Sequence, residues 1–210
     1  VQLVLAGVAS NLEELIGFTP SIRRNVVGLA VGPMADGEMA EILDRAEEAS
    51  GLAFAPEARG LLLKMAAGSP YLVRLLGSRA AALALDSGRT TAAASDVETG
   101  AKAVLSEWGA GLPAGVQRLL SRPEVQAGWA LLIAAARASG TPEGWFGAED
   151  LAAELEAVDA DAVRTRLGAF VSSVPLFEAD GSGEGARFRF RTQGLAQFLI
   201  LSAALARAAP

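Results

Sequence analysis

The 210-residue chain contains no histidine and no cysteine. Without histidine there is no imidazole general base, no Ser-His-Asp triad and no HExxH metal site. Without cysteine there is no disulfide framework, no thiolate zinc site and no thiol nucleophile. A long clean apolar run is missing too, since charges or Gly and Pro breaks interrupt every window long enough to span a bilayer. What remains is 51% hydrophobic, rich in alanine and leucine with arginine and glutamate between them. That composition favours helices and is too apolar for disorder. An independent catalytic domain is hard to assemble from it.

Charge of one sign is not concentrated either. Eighteen basic residues face 24 acidic ones, a net charge of −6. Residues 1–110 carry 9 basic and 13 acidic side chains, and residues 111–210 carry 9 and 11. Neither half has the basic excess of a nucleic-acid module. The opening Val1-Gln2-Leu3-Val4-Leu5 has no n-region and no cleavage site, so it does not read as a signal peptide. We expect a cytoplasmic piece of a longer protein.

The hydrophobic pattern changes period along the chain. Val1 to Val8 is an apolar run containing Gly7, as in a strand buried on both faces of a parallel sheet, and Val26 to Val31 is a second β-branched run. From Asp36 the spacing becomes helical. One helix is predicted from an Asp36 cap through Ala49, one from Pro56 to about Ala67, one over Tyr71–Leu85 and one from Ser95 to near Trp108. Gly109-Ala110-Gly111-Leu112-Pro113 has the composition of a linker. Beyond it, helices are predicted over 114–121, 124–138, about 147–157 and 160–172. A hairpin follows, with Val174–Glu178 and Ala186–Arg191 flanking the glycine-rich tip 180–185, and Leu195–Ala208 closes as an apolar helix. Helices followed by a hairpin and a last helix spell a winged helix-turn-helix.

Three segments, in order, resemble the end of an AAA+ or STAND-type ATPase. Val4–Val8 followed by Ser10-Asn11 resembles the sensor-1 strand, in which a polar side chain orients water at the γ-phosphate. Ser21-Ile22-Arg23-Arg24 resembles the box carrying the arginine finger, which stabilises transition-state charge on phosphate. Gly68-Ser69-Pro70-Tyr71-Leu72-Val73-Arg74 resembles the GxP motif of STAND lids, at the place of sensor 2. The implied fold is mainly α. It comprises a remnant strand of an α/β core over 1–34, a helical lid bundle over 35–110 and a winged-helix domain with a small β-hairpin over 111–210. The catalytic candidates are Asn11, Arg23 and Arg24, with Ser10 as a rival to Asn11. The nucleotide-binding candidates are Gly68, Pro70, Tyr71 and Arg74.

The sequence departs from the family pattern in two ways. It holds no glycine-rich phosphate loop ending in Lys-Ser or Lys-Thr, and no strand ending in paired acids. ATP or ADP with Mg2+ is therefore expected in the full-length protein, with the phosphate site in an upstream ATPase core, and no cofactor is expected on this chain alone. Tyr71 stands where many lids place the sensor-2 arginine, and Arg74, one turn on, is the nearby cation. Further copies of the chain and a protein effector are the other implied partners; no membrane is.

The alternative is a DNA-binding winged helix, as in AAA+ replication initiators of the same layout. Its contacts would come from Arg164 and Arg166 on the recognition helix and from Arg189 and Arg191, with Arg187, on the wing. Asp159, Asp161, Glu178, Asp180 and Glu184 surround those positions and weigh against it. Trp108, Trp129 and Trp145 read as core.

Overall fold

The computed structural model describes residues 32–139, 144–155 and 159–208. The expected strands Val1–Val8 and Val26–Val31 lie outside these residues. The fold is mainly α, with ten α-helices and five short strands among the described residues. They divide into two compact units, one of residues 33–136 with 192–208, the other of residues 137–191.

The first unit opens with α1 (Asp36–Ser50). Its first turn is held by Glu38, whose carboxylate accepts the Ala35 N–H at 2.8 Å. The cap is thus Ala35 rather than the expected Asp36, which lies inside the helix. An acid at the third helical position reaching back in this way satisfies a donor that the helix itself leaves orphaned. Asp96 does the same for α4 (Ala94–Gly111), accepting the Ala93 N–H at 2.7 Å. Between them lie α2 (Pro56–Ala66) and α3 (Pro70–Asp86), each with proline in its first turn, where no amide donor is needed. Two residues of β1 (Ala53–Phe54) pair in parallel with two of β2 (Thr91–Ala92) and tie the two connections together. Met39, Leu43, Leu62, Met65, Leu72, Leu76, Val97 and Val104 from the four helices share one buried core.

Helix α4 runs on to Gly111, so the linker expected over 109–113 shrinks to Leu112 and Pro113. Gln117, on α5 (Ala114–Leu120), braces that turn by donating to the Leu112 carbonyl at 2.7 Å. The single helix expected over 124–138 is instead two, α6 (Pro123–Ala127) and α7 (Trp129–Ala138), with Gly128 capping the first.

The last helix, α10 (Leu195–Ala208), belongs to the first unit although the sequence places it after the hairpin. It packs on α2 and α4, and Leu201 is buried in the same core as Leu62 and Val104. The reason lies in α2 and α4 themselves. Leu61, Leu105 and Trp108 sit at the margin of that core with Ala204 and Leu205, so an apolar helix is needed to cover them. The stretch 111–210, read as one domain from the sequence, is therefore shared between the two units.

The second unit contains α8 (Ala148–Glu154) and α9 (Ala160–Ser172), packed on each other. A three-stranded antiparallel sheet accompanies them, in the order β3 (Phe146–Gly147), β5 (Arg187–Phe190), β4 (Phe177–Asp180). The expected hairpin is β4–β5, with Phe177 opposite Phe190 and Asp180 opposite Arg187. Strand β3 has no counterpart in the sequence reading. Phe146 meets Phe177 edge-on at 5.6 Å and Phe177 meets Phe190 at 4.6 Å, so aromatic packing makes the core of this small sheet.

Candidate functional site

The nucleotide-binding candidates converge on one place, the start of α3. The chain leaves α2 through two consecutive residues in the left-handed region, Ala67 at φ +47° and Gly68 at φ +82°. The Ser69 N–H donates to the Ala66 carbonyl at 2.9 Å and completes the turn. Ser69 then caps α3, its hydroxyl accepting the Leu72 N–H at 3.3 Å, and Pro70 occupies the first helical position. This is an ordinary way to begin a helix. Its product is the positive end of a 17-residue helix.

Two side chains flank that end. Tyr71 is 61% exposed, one of two large apolar residues so open among the described residues. Arg74, one turn further, is exposed and has no ion-pair or hydrogen-bond partner among the described residues. Their neighbours Leu72 and Val73 are buried in the core. The alternation is set by the helix period, which turns 72, 73 and 76 inward and 71, 74 and 78 outward. An aromatic face, a free guanidinium and a helix N-terminus are thus presented together. Chemically, that set suits a flat ring carrying negative charge nearby. Asn11, Arg23 and Arg24, the catalytic candidates, lie outside the described residues, as does Ser10.

The arginines singled out for DNA are placed differently. Arg164 donates to Glu149 at 2.6 Å and to Asp161, and only 17% of its side chain is exposed. Arg189 donates to Glu178 at 2.6 Å, and its guanidinium lies 4.7 Å from the centre of the Trp145 ring. Arg191 donates to the Phe177 carbonyl at 2.7 Å, and Arg187 to the Trp145 carbonyl at 3.2 Å. Arg166 is exposed and makes no such bond among the described residues. Four of the five arginines thus hold the hairpin and the α8–α9 pair together. Two of the acids that weighed against DNA contact in the sequence are partners here, Asp161 of Arg164 and Glu178 of Arg189, while Arg187 and Arg191 donate to backbone carbonyls.

Sequence reasoning did not find the one buried carboxylate among the described residues, Asp96 of the first unit. Asp96 is 7% exposed and is gripped by Arg89, whose two terminal nitrogens donate to its two oxygens at 2.7 and 2.8 Å. The guanidinium holds the Asp96 carboxyl below the usual carboxylate range, and the Ala93 N–H adds to the effect. The available signal was an acid at the third position of a helix with an arginine seven residues before it. This pair ties the end of α3 to the start of α4, where Asp96 also caps the helix through the Ala93 N–H.

Among the described residues no group of three His, Cys, Asp or Glu side chains converges to hold a metal ion. No helix among them is long and apolar enough to cross a membrane. No family model, no curated protein and no solved structure matches this chain.

Proposed function

We propose that this chain is the lid and winged-helix region of an ATP-binding STAND or AAA+ ATPase and acts as a nucleotide-dependent conformational switch. The observation that carries the reading is the start of α3. The Gly68-Ser69-Pro70 turn, in the position of the lid motif it resembles, opens a helix whose exposed end offers Tyr71 and Arg74 together. An adenine ring on Tyr71 and a phosphate near Arg74 are the contacts these residues suit. The second unit supports the same layout, because α8 and α9 followed by the β4–β5 hairpin have the order of a winged helix-turn-helix.

The residues present fit part of a nucleotide and not its metal. Arg74 supplies a cation, Tyr71 a stacking face and the α3 terminus partial positive charge. Magnesium and the phosphate cradle belong, in this reading, to an upstream core of the same polypeptide. When bound, Mg-ATP supplies the charge that a closed lid recognises. The lid then contributes differential contacts, favouring one of two arrangements and shifting the population. Arg23 or Arg24 would act as the finger and Asn11 as the sensor.

The test is a nucleotide titration of the full-length protein in a cytoplasmic-type buffer with magnesium. Arg74→Ala and Tyr71→Ala should each weaken ATP by about tenfold, the loss of one charged or stacking contact. Arg24→Ala should leave affinity nearly intact and slow turnover by about 10³-fold. Unchanged affinity in both lid variants would remove α3 from the site and with it the reading.

A further inference from the structure

The turn that begins α3 also touches the entrance to the whole helical unit. The strap Pro33-Met34-Ala35 leads into α1, and each of its residues is fastened. The Met34 N–H donates to the Gly68 carbonyl at 2.9 Å. The Ala35 N–H donates to the Glu38 carboxylate at 2.8 Å. Pro33 lies so close over Gly68 that a Cβ built there would stand 2.6 Å from the Pro33 Cβ and 3.2 Å from the Met34 carbonyl oxygen. The Met34 side chain is half-buried against the core of the unit. Gly68 is thus required twice, by its φ of +82° and by a neighbour that fills the space of a side chain.

We infer that the Gly68 turn is a latch for the strap Pro33–Ala35, through which the state of the first turn of α3 sets how the chain enters the helical unit. The coupling is short. Gly68 accepts from Met34, and the next residue, Ser69, accepts from Leu72 with its hydroxyl and from Val73 with its carbonyl. One peptide unit therefore separates the strap's anchor from the cap of α3. Anything that twists or unwinds the first turn of α3 shifts Ser69 and, with it, the carbonyl that holds Met34. The latch goes beyond the nucleotide reading and does not depend on it.

The latch is tested by hydrogen exchange at single amides in the whole 210-residue chain, with Met34 reporting the strap and Leu76 and Ala80 reporting the unit. Pro33→Gly removes the ring that covers Gly68 and frees the strap backbone, and should speed exchange at Met34 by about fivefold. Ser69→Ala leaves every strap residue in place and weakens only the cap, yet should speed Met34 by about fivefold as well. Gly68→Ala should speed Met34 by more than about tenfold through the close contact and the left-handed φ. Adding Pro33→Gly to Gly68→Ala should then have less effect than it has alone, because the two share one contact. Leu76 and Ala80 should keep their protection in Pro33→Gly and Ser69→Ala. Unchanged exchange at Met34 in Pro33→Gly would overturn the latch. An effect of Pro33→Gly with none of Ser69→Ala would overturn the coupling to α3. Loss of Leu76 protection in step with Met34 in those two variants would show that the strap opens only with the unit, and would overturn a separate latch.

Discussion

Arg89 and Asp96 face each other across the turn between α3 and α4, joined by two parallel hydrogen bonds of 2.7 and 2.8 Å. The pair is asymmetric in exposure, with 41% of the Arg89 side chain open and 9% of that of Asp96. The carboxylate also caps α4 through the Ala93 N–H. Because the folded state depresses the Asp96 pKa, its stabilising effect is complete above the unfolded carboxylate value of about 3.9. It is lost as pH falls through the lower folded value. Asp96→Asn should therefore lower the melting temperature at neutral pH and narrow its gap from the wild type below about pH 4. Thermal melts of both proteins from pH 3 to 7 check this; a gap constant with pH would show that the charge of Asp96 contributes nothing.

The second prediction concerns α10. Leu201→Ala removes a fully buried side chain from the core formed by α1 to α4 and should destabilise that unit by about 2–5 kcal/mol. Arg89-side and α3 amides should lose exchange protection with it, while Phe177 and Phe190 keep theirs. If the loss fell on the second unit alone, the packing of α10 on α2 and α4 would not hold in solution.

The helices were legible because their signals are local. Pro56 and Pro70 mark starts, Gly51 marks a stop, and the buried face of α3 repeats at helical spacing through Leu72, Leu76 and Ala80. The misses share a different cause. Gly109 and Gly111 looked like a linker, yet α4 extends through both, with Phe198 of α10 at 3.5 Å from where a Gly109 Cβ would stand and open space around Gly111. Strands β1, β2 and β3 have two residues each, too few to show any period, and exist through partners 38 to 42 residues away. At the candidate site, sequence supplied the identity of the turn but not its neighbour. Nothing local in Pro33-Met34 announces that it rests on Gly68.

Ala67 offers a third prediction. It is the one non-glycine with positive φ among the described residues, held at +47° where it ends α2. An L-residue there costs about 1–2 kcal/mol relative to the right-handed region, part of which glycine recovers. Ala67→Gly should raise stability by up to about 1 kcal/mol, net of the extra entropy of the unfolded chain. Urea unfolding measures it, and a destabilised variant would mean that the methyl group packs rather than strains.

The last prediction separates a structural arginine from a DNA-reading one. Arg164 sits on α9, the helix that would enter a groove, but it is turned between Glu149 and Asp161 with most of its length covered. To touch phosphate it would have to leave two carboxylates, and a single phosphate contact returns no more charge-assisted bonding than it gives up. Arg166, two residues on, is exposed and makes no such exchange. Arg164→Ala should therefore lower the melting temperature of the second unit and leave duplex binding unchanged, at a level too weak to see below micromolar protein in physiological salt. Arg166→Ala should lower neither. A gel-shift titration with random and with selected duplexes, run beside thermal melts of both variants, reads the two effects apart. Tight binding abolished by Arg164→Ala without a change in melting would reverse the assignment, because it would mean that the guanidinium trades its acids for DNA at no structural loss.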